Sequence, residues 1–195
     1  NDISEFATER SNVEQARAYG DDMRRTIEAI ADCRHPVVAQ IHGICVGGGL
    51  EIAGLADIRI CGESSRFGVP INRLGLVMAY VEIGALISLA GEATAMEILL
   101  EGRVFDAAEA KDKGLVTRVV PDDQVEAEAR DTAQRIADGA PLVARWHKKF
   151  ARRLRDSRPL TAAEYDEGFA CFGTKDFQIG YRAFLAKAKP AFEGE

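Results

Sequence analysis

Residues 37–55 place the tightest constraint on what this chain can fold into. Val37-Val38-Ala39-Gln40-Ile41 is a β-branched run of strand length, which passes into His42-Gly43-Ile44-Cys45-Val46-Gly47-Gly48-Gly49 and then into the helix-like residues 50–55. A strand that runs through glycines into a helix brings backbone N–H groups up to a ligand without side chains in the way. Residues 57–61 read as a second short buried strand, and Ser64-Ser65-Arg66-Phe67-Gly68-Val69-Pro70 as a turn-rich connection. Strand, glycine turn, helix and strand in that order predict an α/β core.

The flanks are largely helical. In residues 12–32 the apolar positions Val13, Ala16, Met23, Ile27 and Ile30 recur at three- and four-residue steps between charges, the pattern of an amphipathic helix, and His35-Pro36 ends it. Beyond Ile83 the spacing predicts helices over 92–100 and 107–113, the latter with Asp106 as N-cap and Gly114 just past its end. Residues 115–120 form one more β-like run, stopped by Pro121. Residues 122–138, 141–155, 161–172 and 176–187 are four further helix candidates. The expected organisation is a core over residues 1–121 and a C-terminal helical region over 122–195. A helical tail of that kind must pack on another surface, a neighbouring subunit being one.

Charge and apolar runs exclude several function classes. Lys and Arg total 25 against 31 Asp and Glu, a formal charge of -6. Nucleic-acid binding is not expected, because displacing counterions from phosphates needs clustered positive charge. A polybasic membrane anchor is excluded on the same ground. No apolar run reaches the roughly 18 residues that span a bilayer, so no membrane association is expected. Cys33, Cys45, Cys61 and Cys171 sit singly in apolar segments, which reads as reduced, structural cysteine in a cytoplasmic compartment. The sequence opens on Asn1 with no initiator Met and no signal-like start, so it is expected to begin downstream of a true start.

Read as a whole, residues 41–59, IHGICVGGGLEIAGLADIR, resemble the signature of the crotonase superfamily, the enoyl-CoA hydratase/isomerase family. The likeness lies in the glycine triplet, the glutamate two residues after it and the Ala-Asp strand that follows. It extends to Asn1-Asp2-Ile3, to Phe67-Gly68 with Pro70 and Leu74-Gly75, to residues 107–116, and to Thr174, Asp176, Gly180, Ala183-Phe184 and residues 187–192. The resemblance implies a spiral of ββα units with a helical C-terminal trimerisation region, and strands preceding Asn1 that carry the first half of the spiral. It also implies an acyl-CoA substrate, an enolate stabilised in an oxyanion hole, a homotrimer or a hexamer built as a dimer of trimers, and no cofactor beyond the coenzyme A of the substrate.

Glycine suits such a site for a reason independent of any family. Two preorganised N–H donors must come to within about 2.7–3.1 Å of the oxygen on which charge develops, and side chains would block that approach. The resemblance places one donor at the Gly48 N–H and the other at the Asn1 N–H, with Asp2 fixing the loop and Val46 and Gly47 lining the pocket. Glu51 matches the first catalytic glutamate, as general acid/base at the α or β carbon; taken alone it also reads as a first-turn glutamate favouring the helix dipole.

The second family glutamate should follow Pro70, and Ile71 stands there. An isoleucine neither accepts nor donates a proton, so the site is expected to work with one carboxylate, suiting deprotonation, protonation, C–C bond making or breaking, or decarboxylation beside a thioester. Alternatives are a true hydratase in which Glu82 or a positioned water substitutes, with Tyr80 a further candidate, and a non-catalytic CoA-binding homologue. Glu82 also reads as a helix cap. Phe184 and Lys187 resemble positions beside bound CoA. The run Arg145-Trp146-His147-Lys148-Lys149 with Arg152-Arg153 reads as a solvated helix face or a CoA-phosphate or subunit contact. His42 reads as a structural hydrogen-bonding residue, Asn72 and Arg73 either line the pocket or end a strand, and no metal site is expected from the histidine spacing.

Overall fold

The β-branched run forms strand β1 (Val38–Ile41) and the apolar run after the glycines forms β3 (Ile58–Gly62). The computed structural model, which describes residues 3–195, pairs them in parallel from Val38 opposite Ile58 to Ile41 opposite Cys61. Strand β6 (Arg118–Val120) adds in parallel on the other side of β3, giving the order β1-β3-β6. As the central parallel strand, β3 is covered on both faces, and Ile60 and Cys61 have no exposed surface.

Two strands lie where the sequence reads as loop. Residues 44–46 of the glycine stretch are β2 (Ile44–Val46), and residues 66–68 of the turn-rich connection are β4 (Arg66–Gly68). Three residues between glycines show no legible period; pairing alone makes them strands. Ile44 lies opposite Arg66 and Val46 opposite Gly68 in parallel, while Phe67 pairs antiparallel with Phe105 of β5 (Phe105–Asp106). The second sheet has the order β2-β4-β5.

The helices follow their caps. Helix α1 (Val13–Ala31) starts at Asn12, whose side chain accepts the Gln15 N–H. Helix α2 (Gly48–Gly54) opens inside the glycine triplet. Helices α3 (Tyr80–Ala90) and α4 (Glu92–Glu101) adjoin at Gly91, and α5 (Ala107–Asp112) is capped by Asp106, which accepts the Glu109 N–H, and runs out toward Gly114 at φ 75. Helix α6 (Val125–Ala137) begins later than expected, after a 3-10 turn at Asp122–Gln124.

The chain divides into two compact units, the described residues through Cys33 with Val37–Ala129, and Arg34–Pro36 with Arg130–Glu195. The first holds both sheets and a core that joins Ile41, Leu50, Phe67, Val69, Leu86 and Ile98. In the second, α7 (Pro141–Arg153) is followed by α8 (Ala162–Glu167), which opens on a Thr161–Glu164 capping box and is shorter than the sequence pattern suggests. The chain continues as a 3-10 turn, Ala170–Gly173, into α9 (Lys175–Leu185). Buried Asp176 accepts the N–H groups of Glu193 and Gly194 and so ties the last residues to the start of α9. On α7, Lys148 is buried and donates to the His35 carbonyl, Lys149 pairs with Glu167 and Arg153 with Glu164. These contacts occupy part of the basic run with structural work.

Gly68 shows how closely the second sheet is packed. It sits at φ 154, and a Cβ there would lie 2.4 Å from the Arg103 carbonyl oxygen and 3.2 Å from the Val104 Cα, both backbone atoms that cannot swing aside. Gly68→Ala is therefore expected to destabilise the protein by about 3 kcal/mol, at the upper end of ordinary single substitutions. A urea melt checks it, and an unchanged midpoint would show that the neighbouring backbone yields freely.

Candidate active site

The first unit carries a half-open cavity of about 350 Å³ at the start of α2. Its construction is legible from the chain upward. The β2–β4 ladder extends one residue beyond Val46, with the Gly47 N–H donating to the Gly68 carbonyl at 2.9 Å. Gly47 then takes φ 54 and ψ -124, a conformation that strains any residue with a Cβ. The chain thereby turns from strand to helix within one residue. Glu51 N–H closes the first turn on the Gly47 carbonyl at 3.0 Å, so the Gly48 N–H lies ahead of any helical partner. Val46, Gly47, Gly48 and Glu51 all line the cavity.

The opposite wall comes from residues 70–82. Pro70–Leu74 is a 3-10 helix that places Ile71 on the cavity as an apolar surface, and the first turn of α3 places Glu82 there. Glu51 and Glu82 also border a second space of about 10 Å³, otherwise walled by side chains such as Leu50, Val69, Met78 and Leu86. Burial first, and the charge of Glu82 second, push the Glu51 carboxyl above the usual glutamate range. Glu82 Oε2 is buried and has no hydrogen-bond partner among the described residues. Helix α3 takes Ala79 as its N-cap with no side-chain cap bond, so the capping role offered for Glu82 is not present.

Other candidates fall elsewhere. Tyr80 is 95% exposed and is not part of the wall, although it shares the first turn with Glu82. Neither Asn72 nor Arg73 lines the cavity; the Asn72 side-chain amide donates to the Leu100 carbonyl at 2.9 Å. His42 is exposed and lies 2.8 Å from the Gln40 side-chain amide. Phe184 on α9 and Lys187 just beyond it belong to the second unit and are solvent-exposed, Lys187 at φ 52. The Asn1 donor and Asp2 lie outside the described residues. Cys45 and Cys61 are free, buried thiols pushed up to about 11 by burial, inert at neutral pH.

The sequence reading missed the N-terminal part of the wall. Phe6, Arg10, Tyr19 and Met23 line the cavity, with the Arg10 guanidinium 3.9 Å and 4.0 Å from the centroids of the Phe6 and Tyr19 rings. Only Met23 carried a signal, as part of the apolar face of α1. No group of His, Cys, Asp or Glu among the described residues is arranged to hold a metal, and no described helix is long and apolar enough to cross a membrane.

Known proteins resemble this chain throughout. The model of a family described as enoyl-CoA hydratase/isomerase matches residues 1–195. A probable enoyl-CoA hydratase of Mycobacterium bovis is 35% identical over 193 residues, which is 98% of this chain and 74% of that protein. The crystal structure of an enoyl-CoA hydratase/carnithine racemase from Magnetospirillum magneticum is 52% identical and superposes with a TM-score of 0.97 over 100% of this chain and 73% of its own. The enoyl-CoA hydratase of Bacillus anthracis is 32% identical with a TM-score of 0.92, over 100% and 75% of the two chains.

Proposed function

The chain belongs to the enoyl-CoA hydratase/isomerase family, and from that premise we propose that it processes an acyl-CoA thioester, holding an enolate at the Gly48 N–H while Glu51 moves the proton. The observation that carries the reading is the placement of Gly48 and Glu51, three residues apart at the start of α2, on one cavity wall.

The chemistry follows from that placement. Removing or adding a proton beside a thioester carbonyl puts negative charge on the carbonyl oxygen, and a preorganised N–H aimed at it is worth on the order of 10²–10³ in rate. A carboxyl raised above its usual range by burial is better matched to proton transfer near neutral pH than a solvated one. The family resemblance supplies the Asn1 N–H as second donor, Phe184 and Lys187 as contacts of the coenzyme A moiety, and a homotrimer or dimer of trimers as the assembly. Val46, Gly47 and Ile71 form the acyl pocket in this reading. Coenzyme A enters as part of the substrate, and no other cofactor is invoked.

The test is a screen of the full-length protein against 2-enoyl, 3-enoyl, malonyl-type and β-keto acyl-CoAs, scored by product mass, with a saturated acyl-CoA in D₂O scored for deuterium at C2. Turnover of at least one class, with deuterium incorporation, is expected. Coenzyme A binding without any turnover or exchange overturns the proposal and leaves a non-catalytic homologue.

A further inference from the structure

We propose that Glu82 is a second catalytic carboxylate, carried by α3 into the space where Ile71 offers no proton-transfer group, so that Glu51 and Glu82 together add water across the double bond of a 2-enoyl thioester. The inference rests on the enolate reading above and specifies its reaction.

Geometry carries it. Ile71, next to Pro70, is an apolar part of the wall and offers no group that takes or gives a proton. Glu82 reaches the same cavity from a different element, the first turn of α3, which packs on α2. It shares with Glu51 a second, smaller space of about 10 Å³, room on the order of one water molecule. The dipole of α3 favours an acidic residue in its first turn, but that does not call for burying the carboxylate of Glu82 against the cavity. Glu82 caps no helix, and its buried Oε2 has no hydrogen-bond partner among the described residues. Burying an unpartnered carboxylate oxygen is unfavourable, and setting it beside a second carboxylate compounds the cost. Among the described residues, the other titratable side chains on the cavity wall are Arg10 and Tyr19.

Addition of water needs one group that takes a proton and one that gives a proton. The ionised member of the pair takes a proton from water as the water oxygen bonds to C3, and the C2–C3 π pair moves through C1 onto the thioester oxygen at the Gly48 N–H. When the carbonyl re-forms, C2 takes the proton held by the other member. One O–H bond breaks, and one C3–O and one C2–H bond form. The pair ends with its single proton on the opposite carboxylate, and transfer across the space they share restores the starting state.

The test uses the full-length protein and a short 2-enoyl-CoA, comparing native enzyme, Glu51→Gln, Glu82→Gln, Glu82→Asp and Glu82→Ala. Glu82→Gln is expected to lower kcat for hydration by about 10²–10⁴-fold while binding a saturated acyl-CoA within threefold of native. Part of the Glu82→Ala loss should return with added formate and part of the Glu82→Gln loss with Glu82→Asp, neither of which a purely structural role would produce. Hydration by native enzyme that falls in Glu51→Gln but stays within threefold in Glu82→Gln overturns the role of Glu82 and leaves the enolate reading standing. Turnover of other acyl-CoAs without hydration also overturns it. Absence of any turnover removes the enolate reading itself.

Discussion

Glu51→Gln is expected to lose on the order of 10²–10⁴-fold in turnover and to melt at a higher temperature than the native protein at pH 7. The two effects have one cause. Burial and the facing Glu82 charge raise the Glu51 pKa in the folded state above its ordinary value of 4.5. The unfolded chain therefore ionises this group more readily than the folded one does. Stability linked to Glu51 is fully present below about pH 4.5 and is lost as pH rises through the folded-state value. Glutamine does not titrate, so the melting-temperature gain of the variant should be small near pH 4 and larger at pH 7. Calorimetry at the two pH values, alongside turnover on a confirmed acyl-CoA, checks both halves. A variant that keeps native turnover removes Glu51 from the chemistry. A gain that does not grow with pH shows that its carboxylate is not held at a cost.

Gly48→Pro should lower kcat by on the order of 10²–10³, about 3–4 kcal/mol of barrier, in a protein that still folds. Gly48 is the first residue of α2, with Gly47 as its N-cap. Proline is well suited to that position, because its fixed φ fits the helix and the N–H it lacks has no helical acceptor there. The substitution thus deletes one donor hydrogen and puts a ring carbon in its place while leaving the hydrogen bonds of the helix intact. The loss of kcat follows because the donor acts on charge that develops along the reaction, and KM should rise as well, because the ring carbon crowds the approaching thioester oxygen. Circular dichroism establishes folding, and a folded variant with native kcat would show that the Gly48 N–H does not hold the oxygen.

Glu82 and Tyr80 show where sequence reading stops. Both lie in the first turn of α3, two residues apart, and the local pattern offers no choice between them. Residues two apart on a helix point to different sides, and the packing of α3 on α2 decides which side meets the cavity. Glu82 is thereby turned inward toward Glu51, and Tyr80 is left 95% exposed. Phe6, Arg10 and Tyr19 escaped notice for a related reason. They come from a stretch with no motif and reach the cavity only through the docking of the 3-10 helix Ile3–Ala7 and of α1, whose contacts there are distant in sequence.

Gly48 and Glu51 were legible because the relation between them is local. Three residues in a helix that opens on glycine share a face whatever surrounds them, and Gly47 can take φ 54 because it has no Cβ. The long amphipathic helix α1, the Asp106 cap of α5 and the parallel partners β1 and β3 were legible on the same terms, through period, cap chemistry and β-branched runs. Strands β2 and β4 were not, since three residues flanked by glycine acquire strand character only from the ladder that Ile44 to Val46 forms with Arg66 to Gly68. The sequence by itself determined the α/β core, the family and the local geometry of one donor and one carboxylate. Only the tertiary structure decided which second carboxylate faces them, because that depends on how two helices separated by 25 residues of intervening strand and turn pack together, and no local pattern encodes that angle.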